Sequence, residues 1–557
     1  MTNAAPDNSG LARALSLHRA GHAAEAEAAY RALLAEDPDK SDGWYLLAIL
    51  LNENRRIEEA AAAIDEAATR APNEPLVRFT QGSIALACGR IDDAVAAFEA
   101  ALDRNPQFAE AATNLGLALA RAGRIADAEA AHRRSLAIRP GYSLASYNLG
   151  QLLHRNGRTQ EAADCYRAAL AAEPDNLPAQ FNLAAALRQN GDAQAAETEY
   201  RRAIALAPAN GEGWLGLGLA QKDRGEFGAA IGSFEESLRR NPTAPEAHLN
   251  LSLALLSLGR FAEAWPHYEQ RWNAIPLMNH RRRFDRPTWD GAPLGRRKLL
   301  IHAEQGLGDT IQFIHLLREL DADPAQLTVE MPAFLLPLLQ PFSRYATLVA
   351  SGTTLPPFDC HAALLDLPRL IGLTVERIRP MTGVLAADPA RVLLWRQRLA
   401  GSGKLVALVW RGGEMNPENG KRSIDPALLA PLFEQPGLRF VTLQKNEALP
   451  HPSVIDPVRL AGPAGFDPKG AAFLDSAAIL SVADCVLTVD TALAHVAGAL
   501  GRPGYLLLPF VCDWRWLTAR SDTPWYPSLT LMRQPVTDDW RSVIERLIPM
   551  LTSGRAA

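Results

Sequence analysis

Residues 107–140 read QFAEAATNLGLALARAGRIADAEAAHRRSLAIRP, and they end at one of eight prolines that are spaced 34 residues apart. The other seven prolines stand at positions 38, 72, 106, 174, 208, 242 and 276. Counted back from each proline, an alanine recurs 12 positions earlier, a bulky residue 8 positions earlier and a small residue 24 positions earlier. A fixed period over this many copies is the signature of a repeat architecture.

The pattern within each copy predicts two helices joined by a short turn. Glycine in the turn, as in the Ala-Gly-Arg segment at 122–124, provides the conformation that ends the first helix. The proline ends the second helix. The small residue lets the two helices approach closely, and we expect the bulky residue to fill the gap to the next copy.

These residues resemble the tetratricopeptide repeat, over eight units that cover about residues 7–276 within a predicted domain 1–276. The resemblance implies an all-α superhelix whose groove binds a peptide or another protein. Asparagines recur on the first helix of four units and are the predicted groove residues that contact the acceptor protein; they are Asn114, Asn148, Asn182 and Asn250. The alternative is that they are solvated polar positions.

Composition excludes several classes of protein. The 557 residues are 48% hydrophobic and 21% charged, which is typical of folded domains and not of disordered or collagen-like chains. The net charge of -5 lacks the basic excess of a dedicated nucleic-acid binder. The five scattered cysteines argue against a disulfide framework and against a structural zinc site. With no secretory signal or membrane-spanning run recognised, we expect a cytoplasmic protein.

After Pro276 the period stops, and residues 277–297 form a predicted connector. Beyond it, short apolar runs alternate with amphipathic segments, which predicts parallel sheets with helices between the strands. We expect strands at 299–303, 326–330, 346–350 and 362–365, and a second set at 405–410, 439–443, 485–489 and 504–508. The two sets predict two Rossmann-like lobes, at 298–390 and 400–557, with a hinge near 385–404.

A glycine loop between the first strand and a helix predicted at 310–320 is the first candidate site. Gly306 and Gly308 allow a ligand to approach the backbone, and the helix start favours negative charge. The loop is not a dinucleotide fingerprint, because Ile311 stands where the third glycine belongs. The alternative for Asp309 is a helix N-cap.

The second candidate site follows the strand that ends at Val489. Asp490, Thr491 and Ala492 begin a helix whose free amides suit a diphosphate, and His495 shares its face with Thr491. A buried structural role is the alternative for His495.

Basic residues at two further strand ends form the third candidate site. Arg411, Arg422 and Lys445 would converge at the carboxyl edge of a parallel sheet and neutralise phosphate charge, and Gln444 beside Lys445 is a further predicted donor-binding residue. The alternative is ordinary exposed basic residues. Asp321-Ala-Asp323 follows a helix and not a strand, so we predict no metal site.

The second half resembles GT-B glycosyltransferases of the heptosyltransferase type, as found fused to tetratricopeptide repeats in bacteria. Four segments carry most of the resemblance: HAEQGLGDTIQF at 302–313, LVWRG at 408–412, FVTLQK at 440–445 and VDTALAHVAG at 489–498. DWRW at 513–516 and PWYP at 524–527 also fit. The resemblance implies that Asp309 is the catalytic base and that Asp490, Thr491 and His495 bind a nucleotide-sugar donor. The first lobe is short for this family.

We therefore expect an inverting, metal-independent protein O-glycosyltransferase that modifies Ser or Thr of a protein recruited by the repeats. Similarity to O-GlcNAc transferase-like and bacterial flagellin glycosyltransferases makes flagellin a candidate acceptor. One alternative is a non-catalytic scaffold with degenerate GT-B lobes. Another is a glycosyltransferase whose acceptor is a glycan. The nucleotide sugar is a substrate, and no cofactor is expected.

Overall fold

The computed structural model describes residues 9–274, 282–304, 306–413, 419–444, 451–460, 465–468 and 472–553. The chain divides into two compact units, residues 1–220 and residues 221–557. The second unit therefore contains the last repeats as well as both β-sheets.

The described residues of the first half form helices joined by short turns, as the repeat predicts. Their bounds are α1 Ser9–Arg19, α2 Ala23–Glu36, α3 Ser41–Glu53, α4 Ile57–Arg70, α5 Pro75–Ala87, α6 Ile91–Arg104, α7 Ala109–Arg121, α8 Ile125–Ile138, α9 Ser143–Arg155, α10 Thr159–Ala172, α11 Leu177–Gln189, α12 Ala193–Leu206, α13 Gly211–Asp223, α14 Phe227–Arg240, α15 Pro245–Ser257, α16 Phe261–Tyr268 and α17 Arg271–Ala274.

The recurring alanine is the position at which the helices pack most tightly. All eight copies are 0% exposed, namely Ala26, Ala60, Ala94, Ala128, Ala162, Ala196, Ala230 and Ala264. A side chain of one methyl group allows the backbones of neighbouring helices to approach closely. Larger residues at this position would separate them.

The turns within the repeats use the left-handed backbone conformation that glycine favours. Gly89, Gly123 and Gly157 have φ between 76° and 77°, and the same position in the second repeat is Arg55, with φ of 60°. A non-glycine residue is strained in this region, so the second repeat bears a cost that the others avoid. The prolines stand one residue after the C-cap of the second helix in each unit from Pro38 to Pro242, as predicted. Pro276 lies outside the described residues.

The bulky residue of each repeat packs inside its own repeat in three of the copies, and not only toward the next one as we predicted. A methyl group on Gly82 would lie 2.7 Å from the ring of Phe98, and one on Gly150 would lie 2.7 Å from Tyr166. In the fourth repeat the ring is that of His132, and a methyl group on Gly116 would lie 2.6 Å from it. At each of these glycines the ring therefore occupies the space that a Cβ would otherwise fill.

The first sheet of the second unit has four parallel strands in the order β3-β2-β1-β4. Their bounds are β1 Leu299–His302, β2 Leu327–Met331, β3 Thr347–Ala350 and β4 Cys360–Ala363. All four were predicted within two residues of their observed ends. The described part of the connector packs against this sheet, since the backbone N–H of Trp289 donates to the carbonyl of His361 at 2.7 Å.

The second sheet has six parallel strands in the order β7-β6-β5-β8-β9-β10. Their bounds are β5 Lys404–Val409, β6 Leu438–Thr442, β7 Val454–Ile455, β8 Cys485–Val489, β9 Gly504–Leu508 and β10 Leu529–Arg533. Counted along the chain, this order is 3-2-1-4-5-6, the arrangement of the doubly wound nucleotide-binding fold. β7 and β10 were not predicted.

The described residues of this α/β region contain ten further α-helices: α18 Leu307–Phe313, α19 Leu336–Leu339, α20 Leu367–Leu370, α21 Pro389–Arg398, α22 Asn419–Arg422, α23 Ala430–Phe433, α24 Pro457–Leu460, α25 Leu474–Val482, α26 Ala492–Ala499 and α27 Trp540–Thr552. Half of the predicted hinge near 385–404 is the helix α21, and the role of this segment as a hinge stays a prediction. Trp395 of α21 is fully buried and its indole N–H donates to Asp475 at 2.9 Å, which anchors the segment.

Candidate functional site

The loop after β1 places Asp309 inside a helix and not at its cap. The helix begins at Leu307, three residues earlier than predicted, and Gly306 is the N-cap residue. The Asp309 carboxylate reaches back to accept the backbone N–H of Gly306 at 3.1 Å. The N-cap alternative is therefore wrong in position, although Asp309 does satisfy one free amide of the helix start.

Arg515 is the principal partner of Asp309. It lies in a 3₁₀ turn, Trp514–Trp516, that follows β9, and its guanidinium pairs with the Asp309 carboxylate and with Asp513 at 2.8 Å. The Arg515 side chain is 9% exposed and that of Asp309 is 18% exposed. Burial raises the pKa of Asp309, while the charge of Arg515 opposes that rise.

The sequence analysis did not single out Arg515. The available signal was DWRW at 513–516, in which two tryptophans flank an arginine after a predicted strand. The rings of Trp514 and Phe313 lie 4.9 and 5.3 Å from the guanidinium carbon, so that apolar surface covers the charge. Buried arginines of this kind need paired carboxylates, which Asp309 and Asp513 provide.

The predicted site after β8 is also a helix start in the structure. β8 ends at Val489, Thr491 is the N-cap of α26, and its side chain makes no capping hydrogen bond. The Thr491 hydroxyl lies 3.5 Å from that of Thr488. Burial and the nearby charge of Asp513 raise the pKa of Asp490 to about 6, against the effect of Arg422. The first turn of α26 therefore retains free backbone donors beside the partly buried carboxyl group of Asp490.

His495 is enclosed by aromatic side chains. Its Nδ1 lies 2.9 Å from the Tyr526 hydroxyl, its ring stacks on Trp516 at 5.4 Å, and only 5% of the residue is exposed. Burial lowers the pKa of His495 to about 3, so the ring is neutral at physiological pH. These contacts support the structural alternative for His495, and its predicted contact with a donor stays a prediction.

The two predicted helix starts meet at Gly308. A methyl group on Gly308 would lie 2.8 Å from Cδ2 of His495 and 3.5 Å from Cα of Ala492. The glycine thus permits close packing of α18, which follows the first strand of the four-stranded sheet, against α26, which follows β8 of the six-stranded sheet. The sequence placed both motifs in one site, and the tertiary structure brings them into contact.

The described residues of the third candidate site lie in two places in the structure, one at the ends of β5 and β6 and the other on α22. Arg411 and Gln444 follow the neighbouring strands β5 and β6, and the Arg411 backbone N–H donates to the Gln444 side chain at 3.1 Å. Arg422 lies over Gly412, and its charge acts on Asp309, Asp490 and His495. Within the described residues, the buried Nε of Arg422 has no hydrogen-bond partner. Lys445 lies outside the described residues.

Glu304 and His302, which precede the glycine loop, contact other side chains. Glu304 pairs with Arg271 at 2.9 Å, and burial raises the pKa of Glu304 to about 7. His302 is buried beside Phe284 and His361, and burial lowers the pKa of His302 to about 4.

All four predicted groove asparagines lie on the first helix of their repeats, and all are partly buried. The Asn182 amide donates to the Tyr147 hydroxyl at 3.3 Å, and Asn250 accepts from Lys222 at 2.8 Å. Asn114 and Asn148 occupy the equivalent positions on α7 and α9. Their role in binding an acceptor stays a prediction.

The repeat helices and their register agree with the comparison with known families. The chain matches the tetratricopeptide repeat over residues 11–75, 79–143, 145–211 and 215–272. The first half of this chain is built of tetratricopeptide repeats. Such repeats indicate that the protein binds a protein partner.

The relatives of this tetratricopeptide repeat chain are distant. Protein FlbA of Caulobacter vibrioides is 27% identical over 318 residues, which are 53% of this chain and 52% of FlbA. The chain thus spans about half the length of that relative. YrrB, a TPR protein with an unusual peptide-binding site, is 15% identical, with a TM-score of 0.31 over 34% of this chain and 96% of its own. PilW, a type IV pilus biogenesis factor, is 24% identical, with a TM-score of 0.34 over 38% of this chain and 98% of its own.

The described residues contain neither a cluster of metal ligands nor a membrane-spanning helix. Among these residues no group of three or more His, Cys, Asp or Glu side chains is arranged to hold a metal ion. No helix in the described part of the chain has the length and apolar character required to span a bilayer.

Proposed function

We propose that the chain is a protein O-glycosyltransferase that transfers a sugar from a nucleotide sugar to Ser or Thr of a protein bound by the repeats. The observation that carries the proposal is the approach of the two helix starts, with Asp309 on α18 beside the start of α26 and Arg422 acting on both. The carboxyl edge of a doubly wound sheet is the usual place for a nucleotide.

In the proposed reaction, Asp309 takes the proton of the acceptor hydroxyl. The hydroxyl oxygen forms a bond to the anomeric carbon as the bond from that carbon to the diphosphate oxygen breaks, with inversion. Burial raises the pKa of the Asp309 carboxyl group, which makes the ionised form a stronger proton acceptor, and Arg515 keeps it ionised and oriented.

The departing nucleotide carries negative charge, which the proposed donor site would neutralise. Arg422 has an unused donor in the described structure, and the start of α26 has free amides. Arg411, Gln444 and Lys445 follow β5 and β6 and are the further candidates for contacts with the nucleotide. Gly306 and Gly308 keep bulky side chains away from the reacting groups.

A second candidate is a scaffold without catalytic activity. It is favoured by the pairing of Asp309 with Arg515 and by the contact of His495 with Tyr526, since both side chains already have partners within the chain. A third is a glycosyltransferase with a lipid-linked or free glycan acceptor, against which the protein-binding repeats argue.

One experiment separates these candidates. The full chain is titrated with UDP, GDP, CDP and CMP by calorimetry, and flagellin produced with and without the chain is examined by intact mass spectrometry. Nucleotide binding and an added glycosyl mass support the proposal. Absence of binding to every nucleotide favours the scaffold. Binding with no modification of protein, but with transfer to a glycan, favours the third candidate.

A further inference from the structure

Arg271 lies at the end of the repeats, yet its side chain is buried among residues of the first sheet. It begins α17, immediately after the last repeat helix, and is 3% exposed. Burying a guanidinium away from water is costly unless its charge is paired and its donors are used. The position of Arg271 therefore requires specific partners.

Those partners are two carboxylates that follow neighbouring strands. One terminal nitrogen of Arg271 lies 2.7 Å from Asp366, and the other lies 2.9 and 3.2 Å from the two oxygens of Glu304. Glu304 follows β1 and Asp366 follows β4, and these strands pair in parallel. Arg271 consequently binds the carboxyl edge of the four-stranded sheet at two points.

Aromatic side chains of the last repeat fix the guanidinium in place. Its central carbon lies 4.8 Å from the Tyr268 ring and 4.5 Å from the Trp272 ring. Tyr268 is itself buried, and the charges of Arg271, Arg515, Glu304 and Asp309 all act on it. The last repeat thus reaches the same cluster of charges that contains the proposed base.

Glu304 lies only two residues before Gly306, the N-cap of the helix that carries Asp309. We infer that Arg271 is a positioning residue, which holds Glu304 just after β1 and so sets the start of α18, while Arg515 holds Asp309 directly. The last repeat is then part of the transfer site and not only of acceptor recruitment. The catalytic consequence rests on the proposed function, whereas the effect on the loop does not.

The test compares Arg271→Gln, Glu304→Gln and Arg260→Gln in the full chain. Arg260 is a matched control, because it also pairs with a glutamate, Glu263 at 2.6 Å, but on the surface and within the last repeat. Amide hydrogen exchange is followed in residues 306–313 and, as a reference, in α25. Loss of a charged hydrogen bond should accelerate exchange in 306–313 about tenfold or more in the first two variants, with no change in α25 or in the control.

The catalytic readout is separate. Turnover should fall about tenfold or more in Arg271→Gln and Glu304→Gln while the Kd for the nucleoside diphosphate stays within about twofold of the original. Arg271→Lys should not restore turnover, because a single ammonium nitrogen does not reproduce the planar fork that places one nitrogen on each carboxylate. If Arg271→Gln does not fold, Glu304→Gln carries the test, since Arg271 retains Asp366.

Exchange that is unchanged in 306–313, or equally accelerated in α25, overturns the positioning role. Restored turnover in Arg271→Lys, or a nucleotide Kd weakened as much as turnover, also overturns it. If the unaltered chain neither binds nucleotide nor transfers sugar, the proposed function fails, and the exchange measurement still decides whether Arg271 holds the loop.

Discussion

The carboxylate of Asp309 and the guanidinium of Arg515 form an ion pair across 206 residues of sequence. Asp309 belongs to the helix after the first strand of the four-stranded sheet, and Arg515 follows the fifth strand of the six-stranded sheet. The pair therefore joins the two sheets at the point where both predicted helix starts meet. A substitution of Asp309 is therefore expected to weaken this contact as well as to remove the proposed base.

Asp309→Asn is expected to lower turnover about 10²–10⁴-fold, the usual contribution of a positioned base. It should also lower the free energy of unfolding by about 1–3 kcal/mol, because Arg515 loses one charged partner. The matched control is Asp513→Asn, which removes the other partner of the same arginine. Turnover by transfer assay and unfolding by denaturant titration are measured for both. Equal loss of turnover in the control would mean that Asp309 acts only by pairing with Arg515.

Arg422→Gln and Thr491→Val should each weaken binding of a nucleoside diphosphate about tenfold or more, because a hydrogen bond to a charged group is worth about 1.5–3 kcal/mol. Lys421→Gln is the control, since it removes an exposed charge from the adjacent position. Calorimetric titration gives the three affinities. A nucleotide affinity that is unaffected by both substitutions, or reduced equally by the control, would place the nucleotide elsewhere.

Gly308→Ala should lower the melting temperature and Gly306→Ala should leave it unchanged, although both glycines lie in one motif. The new methyl group at 308 would lie 2.8 Å from the His495 ring, which is held by Trp516 and Tyr526, whereas at 306 it would lie 3.4 Å from an Asp309 oxygen. Overpacking of this kind costs about 1–3 kcal/mol. Thermal unfolding of the two variants is compared. Similar melting temperatures would show that α18 and α26 can separate without cost.

The fourth repeat should lose stability in acid. Burial lowers the pKa of His132 to about 4 from its ordinary 6.5, so the unfolded chain binds the proton more readily than the folded chain. The contribution of neutral His132 to the free energy of unfolding is complete above about pH 6.5, and about 3 kcal/mol of it is lost as the pH falls to about 4.

His132→Phe should abolish that dependence, because Phe98 occupies the same position against Gly82 in the preceding repeat. Amide exchange in α7 and α8 at pH 7 and pH 5 measures the difference between the two chains. A phenylalanine variant with the same acid sensitivity as the unaltered chain would show that other groups titrate there.

Much of this protein could be predicted from local sequence. The 34-residue period fixes the helix pairs because each unit repeats the same short-range pattern of alanine, glycine and proline, and eight copies make the pattern unambiguous. The alternation of apolar runs with amphipathic segments predicted eight of the ten strands in the described residues. β7 was missed because it has only two residues, and β10 because its segment follows a long irregular stretch.

The sequence by itself determined the repeats, the parallel strands and the motifs at the strand ends, because these depend on neighbours within a few residues. Only the tertiary structure decided which partners those motifs have: Arg515 for Asp309, Tyr526 for His495, and Arg271 for Glu304. Each of these contacts joins segments far apart in the chain. The neighbouring residues in the sequence do not indicate these partners. The packing of helices and sheets brings the side chains together, and the cost of burying an unpaired charge selects the partner.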